Sequence, residues 1–111
     1  MKLEEITNKI ELKNATKFFG GGRQISGVYT SDLLSDVMAN SKKDNVWITL
    51  QTHLNIIAVA SLKELAAIII VLDKEIDKDT LDKAESENIT ILRTAMTAYQ
   101  VSGKLYELGI R

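Results

Sequence analysis

The run Ala66-Ala67-Ile68-Ile69-Ile70-Val71-Leu72 narrows the folds open to this chain more than any other feature. It is apolar at every position, so it lacks the alternation of a strand with one solvated face, and it is far short of the roughly 20 residues a membrane span requires. A short continuous apolar run of this kind is the mark of a strand covered on both faces, as in a parallel sheet between helix layers. Residues 66–72 are therefore expected at the centre of the core.

The surrounding sequence fits that reading. Val46-Trp47-Ile48-Thr49-Leu50 is β-branched and aromatic enough to be an interior strand, and Ile89-Thr90-Ile91-Leu92 is a shorter one. Between and after them lie helical patterns. Leu54, Ile57, Ala58, Ser61, Leu62 and Leu65 read as one inward face, with Ala58, Ala60 and Ser61 small enough for close approach to a neighbour. Asp79 is placed to cap a helix carrying Leu81, Ala84 and Glu85, and Asn88 suits the left-handed position that ends it. Thr94 or Thr97 starts a last helix with Ala98, Val101, Leu105 and Leu108 inward and Gly109 as its stop. Alternating strands and helices favour right-handed crossovers into a parallel sheet.

The first part of the chain is less regular. Leu3, Ile6 and Ile10 predict an amphipathic surface helix of about two to three turns, followed by a short extended piece over residues 12–18. Gly20-Gly21-Gly22 predicts a flexible loop free to adopt positive φ, and residues 24–29 a strand. Thr30, Ser31 and Asp32 offer capping oxygens ahead of Leu33, Leu34, Val37 and Met38, whose spacing is helical to about Asn40. The expected fold is thus α/β, a small three-layer-type domain. A mainly parallel central sheet of about four to five strands is flanked by helices, and residues 1–111 form a single domain.

Composition excludes several functions. Lys plus Arg number 14 against 15 Asp plus Glu, and the basic residues are scattered, so no footprint for a nucleic-acid backbone is present. There is no cysteine, and a single histidine, His53, cannot build a multi-histidine metal centre; no metal or other cofactor is expected. The N-terminus is charged where a signal peptide needs an apolar core, so the chain reads as cytoplasmic and without a membrane partner.

Two segments carry candidate chemistry. The glycine run lacks the Gly-Lys-Ser/Thr ending of a phosphate loop and the dinucleotide fingerprint, and reads as a plain loop; alternatively, Arg23 beside flexible amides holds a phosphate or carboxylate. Gln51-Thr52-His53-Leu54-Asn55 sits where a strand gives way to a helix, the place where ligands of open α/β sheets gather. Thr52 is then an N-cap or a ligand contact, and His53 and Asn55 edge residues or ligand contacts. Ser31 and Asp32 are similarly either capping residues or part of the same cleft, since both segments should emerge on one sheet edge. Other chemistries find no support. The strand of residues 46–50 ends without the aspartate of a phosphoacceptor site, no Gly-x-Ser-x-Gly elbow exists, and the acidic residues of 73–87 alternate with lysines as on a solvated face.

Residues 31–39, Ser-Asp-Leu-Leu-Ser-Asp-Val-Met-Ala, and residues 47–60, Trp-Ile-Thr-Leu-Gln-Thr-His-Leu-Asn-Ile-Ile-Ala-Val-Ala, give the chain its resemblance to the DRTGG domain family. That family is related in fold to the N-terminal domain of HPr kinase/phosphorylase, and the resemblance runs over nearly the whole chain. The namesake motif falls at Gly22-Arg23-Gln24-Ile25-Ser26-Gly27-Val28, where Gly22 stands for the aspartate and Val28 for the second glycine. Any role of that aspartate is absent here.

The resemblance implies a small parallel α/β domain of the kind found beside CBS pairs in regulated pyrophosphatases, in phosphate acetyltransferases, or alone near hydrogenase-related genes, serving regulation and dimer formation. It implies no catalytic residues, and the P-loop domain of the kinase is missing. The expected function is a non-catalytic regulatory domain and homodimer that binds a small anionic ligand, a nucleotide fitting best because Asp32 disfavours a bare phosphate. The alternative is a dimerisation or partner-docking module without ligand. An enzyme using His53 as acid or base is disfavoured, because the sequence offers that histidine no evident carboxylate partner. A polar cleft lined by Asp32, His53 and Asn55 favours binding, and an exposed apolar face favours assembly.

Overall fold

The computed structural model describes residues 1–111. The elements follow in the order α1 (Leu3–Lys9), β1 (Lys13–Asn14), β2 (Gly27–Thr30), α2 (Leu34–Asn40), β3 (Asn45–Thr49), α3 (Asn55–Leu62), β4 (Ala67–Ile70), α4 (Lys78–Ser86), β5 (Ile91–Arg93) and α5 (Ala98–Glu107). They build one five-stranded sheet in the order β1-β5-β4-β3-β2. β2 to β5 are mutually parallel, and β1 adds antiparallel to the outer side of β5 with Lys13 opposite Arg93. No helix is long and apolar enough to cross a membrane.

The central run behaves as its composition demands. Ala67, Ile68, Ile69 and Ile70 are all fully buried, and their side chains alternate between two cores. Ala67 and Ile69 join Leu3, Ile6, Val101 and Leu105 beneath α1 and α5. Ile68 and Ile70 join Val37, Ile56, Ile57 and Ala84 beneath α2, α3 and α4. Parallel β2 to β5 are laid down one beside the next, so three crossover helices of the same hand fall on one face. The remaining two helices cover the other, giving three layers.

Some local expectations hold and others are corrected. Thr97 caps α5, accepting from the Gln100 backbone at 3.1 Å while the Gln100 side chain accepts from the Thr97 N–H at 3.0 Å, a complete capping box. Asn88 and Gly109 are left-handed, with φ of 55° and 90°. The glycine run, by contrast, contains no positive φ and is tied down: Gly21 C=O accepts from Glu4 N–H, and Gly20 N–H donates to Thr90 Oγ1 at 2.9 Å. Gly21 is needed for room, because a Cβ there would stand 2.6 Å from the Phe19 ring.

The inward face expected for α3 holds at Ile57 and Leu65 and is corrected at its other four positions. Ile56, Ile57, Val59 and Ala60 are buried, while Leu54, Ala58, Ser61 and Leu62 face outward. Asn55-Ile-Ile-Ala-Val-Ala-Ser-Leu62 is apolar nearly all round, so spacing alone cannot choose its buried side.

Candidate functional site

The parallel strands β2, β3, β4 and β5 end at Thr30, Thr49, Ile70 and Arg93, and so share one carboxyl edge. Both segments singled out in the sequence lie there. Asp32, however, is no N-cap: α2 begins after Leu33 without a side-chain cap. One Asp32 carboxylate oxygen accepts from Thr49 Oγ1 and from Leu50 N–H, both at 2.8 Å. The Gln51 amide returns a bond to the Asp32 carbonyl at 3.1 Å. Ser31 is held as well, its Oγ accepting from Leu33 N–H and its carbonyl from the buried Trp47 indole at 2.8 Å. These bonds lock the β2 exit to the β3 exit, and leave one Asp32 oxygen with no protein donor recorded to it.

Thr52 is not a cap either; its carbonyl accepts from the buried Thr80 hydroxyl at 2.9 Å. His53 turns away from Asp32 toward the start of α4, where its Nδ1 stands 2.7 Å from Asp77 Oδ2. The histidine therefore has a carboxylate partner, contrary to expectation, supplied by a residue 24 positions away that sequence spacing does not connect to it. The pair is open to solvent, with side chains 70% and 50% exposed. Asn55 lies elsewhere again, lining a groove between α3 and α4 with Leu54, Ala58, Leu62 and Lys83. Asp32, His53 and Asn55 are thus on or near one edge but not in one cleft.

Arg23 is at the opposite, amino edge. Its Nε donates to Asp44 at 2.8 Å and its Nη2 to the Glu64 carbonyl, joining the approaches to β2, β3 and β4. The guanidinium is occupied by the protein and separated from Asp32 and His53 by the length of the strands.

The carboxyl edge also holds the most unusual backbone in the molecule. Leu72 and Asp73, just past β4, are both left-handed at φ of 61° and 49°. A bulky residue with positive φ is a marked outlier. The turn is held by bonds from Leu72 N–H to Met96 C=O and from Asp73 N–H to Thr94 C=O. Ligand crevices in open α/β sheets form where neighbouring strands send their connections to opposite faces. Here β4 leads to α4 on one face and β5 to α5 on the other. The Leu72–Asp73 turn fills that switch point with main chain.

A second open space, about as large as the α3–α4 groove of roughly 600 Å³, lies one step further out, beyond β5. A cavity of about 590 Å³ is lined by Lys9, Lys13, Arg93 and Lys104, together with Ile10, Leu12 and Met96 among others. The sequence gives no sign of it, because the four cations come from two helices and two strands separated by up to 95 positions (104 − 9).

The edge and the layers define a class: a three-layer parallel α/β domain whose polar loops collect at the carboxyl ends of the strands. The fold is DRTGG-like. Among solved structures it is similar to the CBS and DRTGG domains of the regulatory region of Clostridium perfringens pyrophosphatase, a crystal structure complexed with the activator diadenosine tetraphosphate. The similarity has a TM-score of 0.67 at 14% sequence identity and covers 92% of this chain. The chain spans 44% of the length of that neighbour. No protein-family model and no curated protein sequence matches the chain.

Proposed function

We propose that residues 1–111 act as one DRTGG-like regulatory domain, without catalysis of its own, which responds to a small anionic ligand, a nucleotide being the favoured class, and works as a homodimer. One observation carries the reading: the backbone follows, over 92% of its length, that of a pyrophosphatase regulatory region solved with a dinucleotide activator. The non-catalytic part is supported by the openness of the His53–Asp77 pair, whose side chains lie half or more in water and outside any enclosed cleft described above. A thermal-shift screen against nucleotides and phosphorylated metabolites tests the ligand, since a molecule that binds only the folded state raises its melting temperature. Absence of any saturable shift across the panel counts against it. Steady ATP turnover that co-purifies with the chain and disappears in His53→Ala counts against the non-catalytic part.

A second reading, assembly without ligand, is favoured by a specific feature of the carboxyl edge. Leu33, Leu50, Leu72 and Tyr99 follow β2, β3, β4 and β5 in turn, and each is exposed, Leu33 by 64% and Tyr99 by 89%. Exposed apolar side chains in the segment that follows every parallel strand, Tyr99 in the first turn of α5, suit burial against a second copy, and two-fold dimers are the commonest soluble assembly. A dimeric mass by light scattering that falls to the monomer in Leu50→Lys, combined with silence in the ligand screen, favours this reading over the first.

A further inference from the structure

We infer that the cavity bounded by β1, β5, α1 and α5 is the site that receives the anionic ligand, and that it takes a polyphosphate group carrying an apolar moiety. This deepens the ligand-binding reading above and rests on it. The cavity is ringed by Lys9 and Lys13 on either side of the α1–β1 turn, Arg93 at the end of β5, and Lys104 on α5. None of the four has a carboxylate within ion-pair distance; Glu11 is the sole acid in the lining, and it pairs with none of them. Of the ten other cations, four, Arg23, Lys43, Lys78 and Lys83, have an acidic partner, so it is the gathering of four unpaired cations round one cavity that sets this cluster apart.

Two further observations show that the cluster is not electrostatically at rest in the protein alone. Lys13 and Arg93 are direct cross-strand partners, a register at which like charges repel. Arg93 also has a buried Nε–H without an acceptor, although its Nη2 donates to the Asp73 carbonyl at 2.7 Å. Buried donors in folded proteins nearly always have partners, and local conflict of this kind collects at functional sites. An anion entering the cavity would relieve the Lys13–Arg93 repulsion and put acceptors beside a guanidinium already held by the Asp73 carbonyl.

Size and lining set the ligand class. About 590 Å³ lies within the usual range for small-molecule sites, and exceeds the needs of a single phosphate. Ile10, Leu12, Ala95 and Met96 provide an apolar wall beside the cations. Several cations and one apolar wall match a polyphosphate attached to a ring better than either part alone. The place in the fold is also consistent, for this is the carboxyl end of β5, beside the switch point that the Leu72–Asp73 turn closes.

The test is calorimetric titration of the full chain with ATP and with sodium tripolyphosphate, at low and moderate salt. Lys13→Gln and Lys104→Gln are the cleft variants; both lysines are exposed, so the fold should tolerate them. The wild type should bind both probes, ATP more tightly, with affinity falling as salt rises. Each variant should lose about tenfold or more, the effect of one charge-assisted hydrogen bond. Unliganded Lys13→Gln should melt no lower than the wild type, because it removes a repulsion. Binding that both variants retain and His53→Ala abolishes would overturn the cleft while leaving the ligand-binding reading intact. No saturable binding of either probe by the wild type would overturn the cleft, and the wider metabolite screen would then decide the broader reading.

Discussion

The two edges of the sheet differ in how much they leave exposed to water. At the amino edge, Arg23 joins Asp44 and the Glu64 carbonyl, Ser26 donates to the Lys43 carbonyl at 2.6 Å, and the Asn45 amide donates to Ser26 at 3.1 Å. Glu85, near the end of α4, accepts from the backbone N–H groups of Lys17 and Phe18 at 2.6 and 2.8 Å, fastening the segment after β1. At the carboxyl edge the side-chain bonds are no fewer, but more of the groups lie in water. Asp32 ties two strand exits together, but the His53–Asp77 pair is open to solvent and leucines are exposed; left-handed backbone occurs at both edges, at Asp44 and Glu64 on one and consecutively at Leu72 and Asp73 on the other. The difference teaches where stability and adaptability reside: one edge closes the fold, and the other keeps groups free for contact with something else.

The largest effects should therefore come from the amino edge. Arg23→Ala removes two charge-assisted bonds from a half-buried guanidinium and leaves Asp44 without its partner. A loss of about 1–2 kcal/mol is expected after allowing for partial exposure, measured by urea denaturation, with affinity for ATP unchanged. If binding fell while stability held, the division between the edges would be mistaken. Glu85 gives the same edge a pH signature. Its two backbone hydrogen bonds hold the carboxyl below its ordinary value, chiefly through Phe18 N–H and then Lys17 N–H. A carboxyl group whose folded pKa is depressed contributes stability that is present above its unfolded value, about 4.3, and is lost as pH falls through the folded one. Melting temperature should drop in the wild type as pH falls below the unfolded value of about 4.3 and on through the lower folded one. Glu85→Gln should be less stable at pH 7 and show a shallower drop; an identical acid profile would remove Glu85 from the account.

Leu72→Gly tests the strain at the carboxyl edge. A non-glycine residue in the left-handed region costs about 1–2 kcal/mol, and glycine adopts it freely. The gain is offset by the greater freedom of glycine in the unfolded chain and by the loss of what Leu72 covers, so a net stabilisation of up to about 1 kcal/mol is expected. A destabilisation of that size would mean that Leu72 is held there by packing, and that the edge is less strained than its dihedral angles imply.

How much of this was legible in the sequence follows from what each feature depends on. The unbroken apolar run of residues 66–72 located the buried parallel strand, because burial on both faces leaves no other pattern. Thr97, Asn88 and Gly109 were readable because caps and left-handed ends are local chemistry. Asp32 was readable as a capping residue or as part of a cleft; that it bonds to Thr49 and Leu50 depends on β3 lying beside β2. The same holds for Asp77 as the partner of His53, and for Lys13 opposite Arg93. The glycine run looked free because glycine permits positive φ, whereas here it admits the Phe19 ring and the α1 backbone. Periodicity reports what one segment needs, and the cation cluster beyond β5 exists only once four segments meet.

The smallest stability effect should come from His53→Ala, and its size matters because His53 is the sequence's one candidate for acid-base or pH-dependent contact. Its bond to Asp77 is short at 2.7 Å, yet both side chains lie largely in water, where an ion pair gains little over solvation and is screened by salt. The change in unfolding free energy should stay within about 0.5 kcal/mol, the usual range for surface substitutions. If the ligand sits in the cation cleft beyond β5, ATP affinity should also be unchanged. Should His53→Ala keep its stability but lose binding, the carboxyl edge near β3, and not the cleft, would be the working surface. A loss well above 0.5 kcal/mol would instead show that the His53–Asp77 bond helps seat α4, and would make this edge resemble the amino edge it is contrasted with.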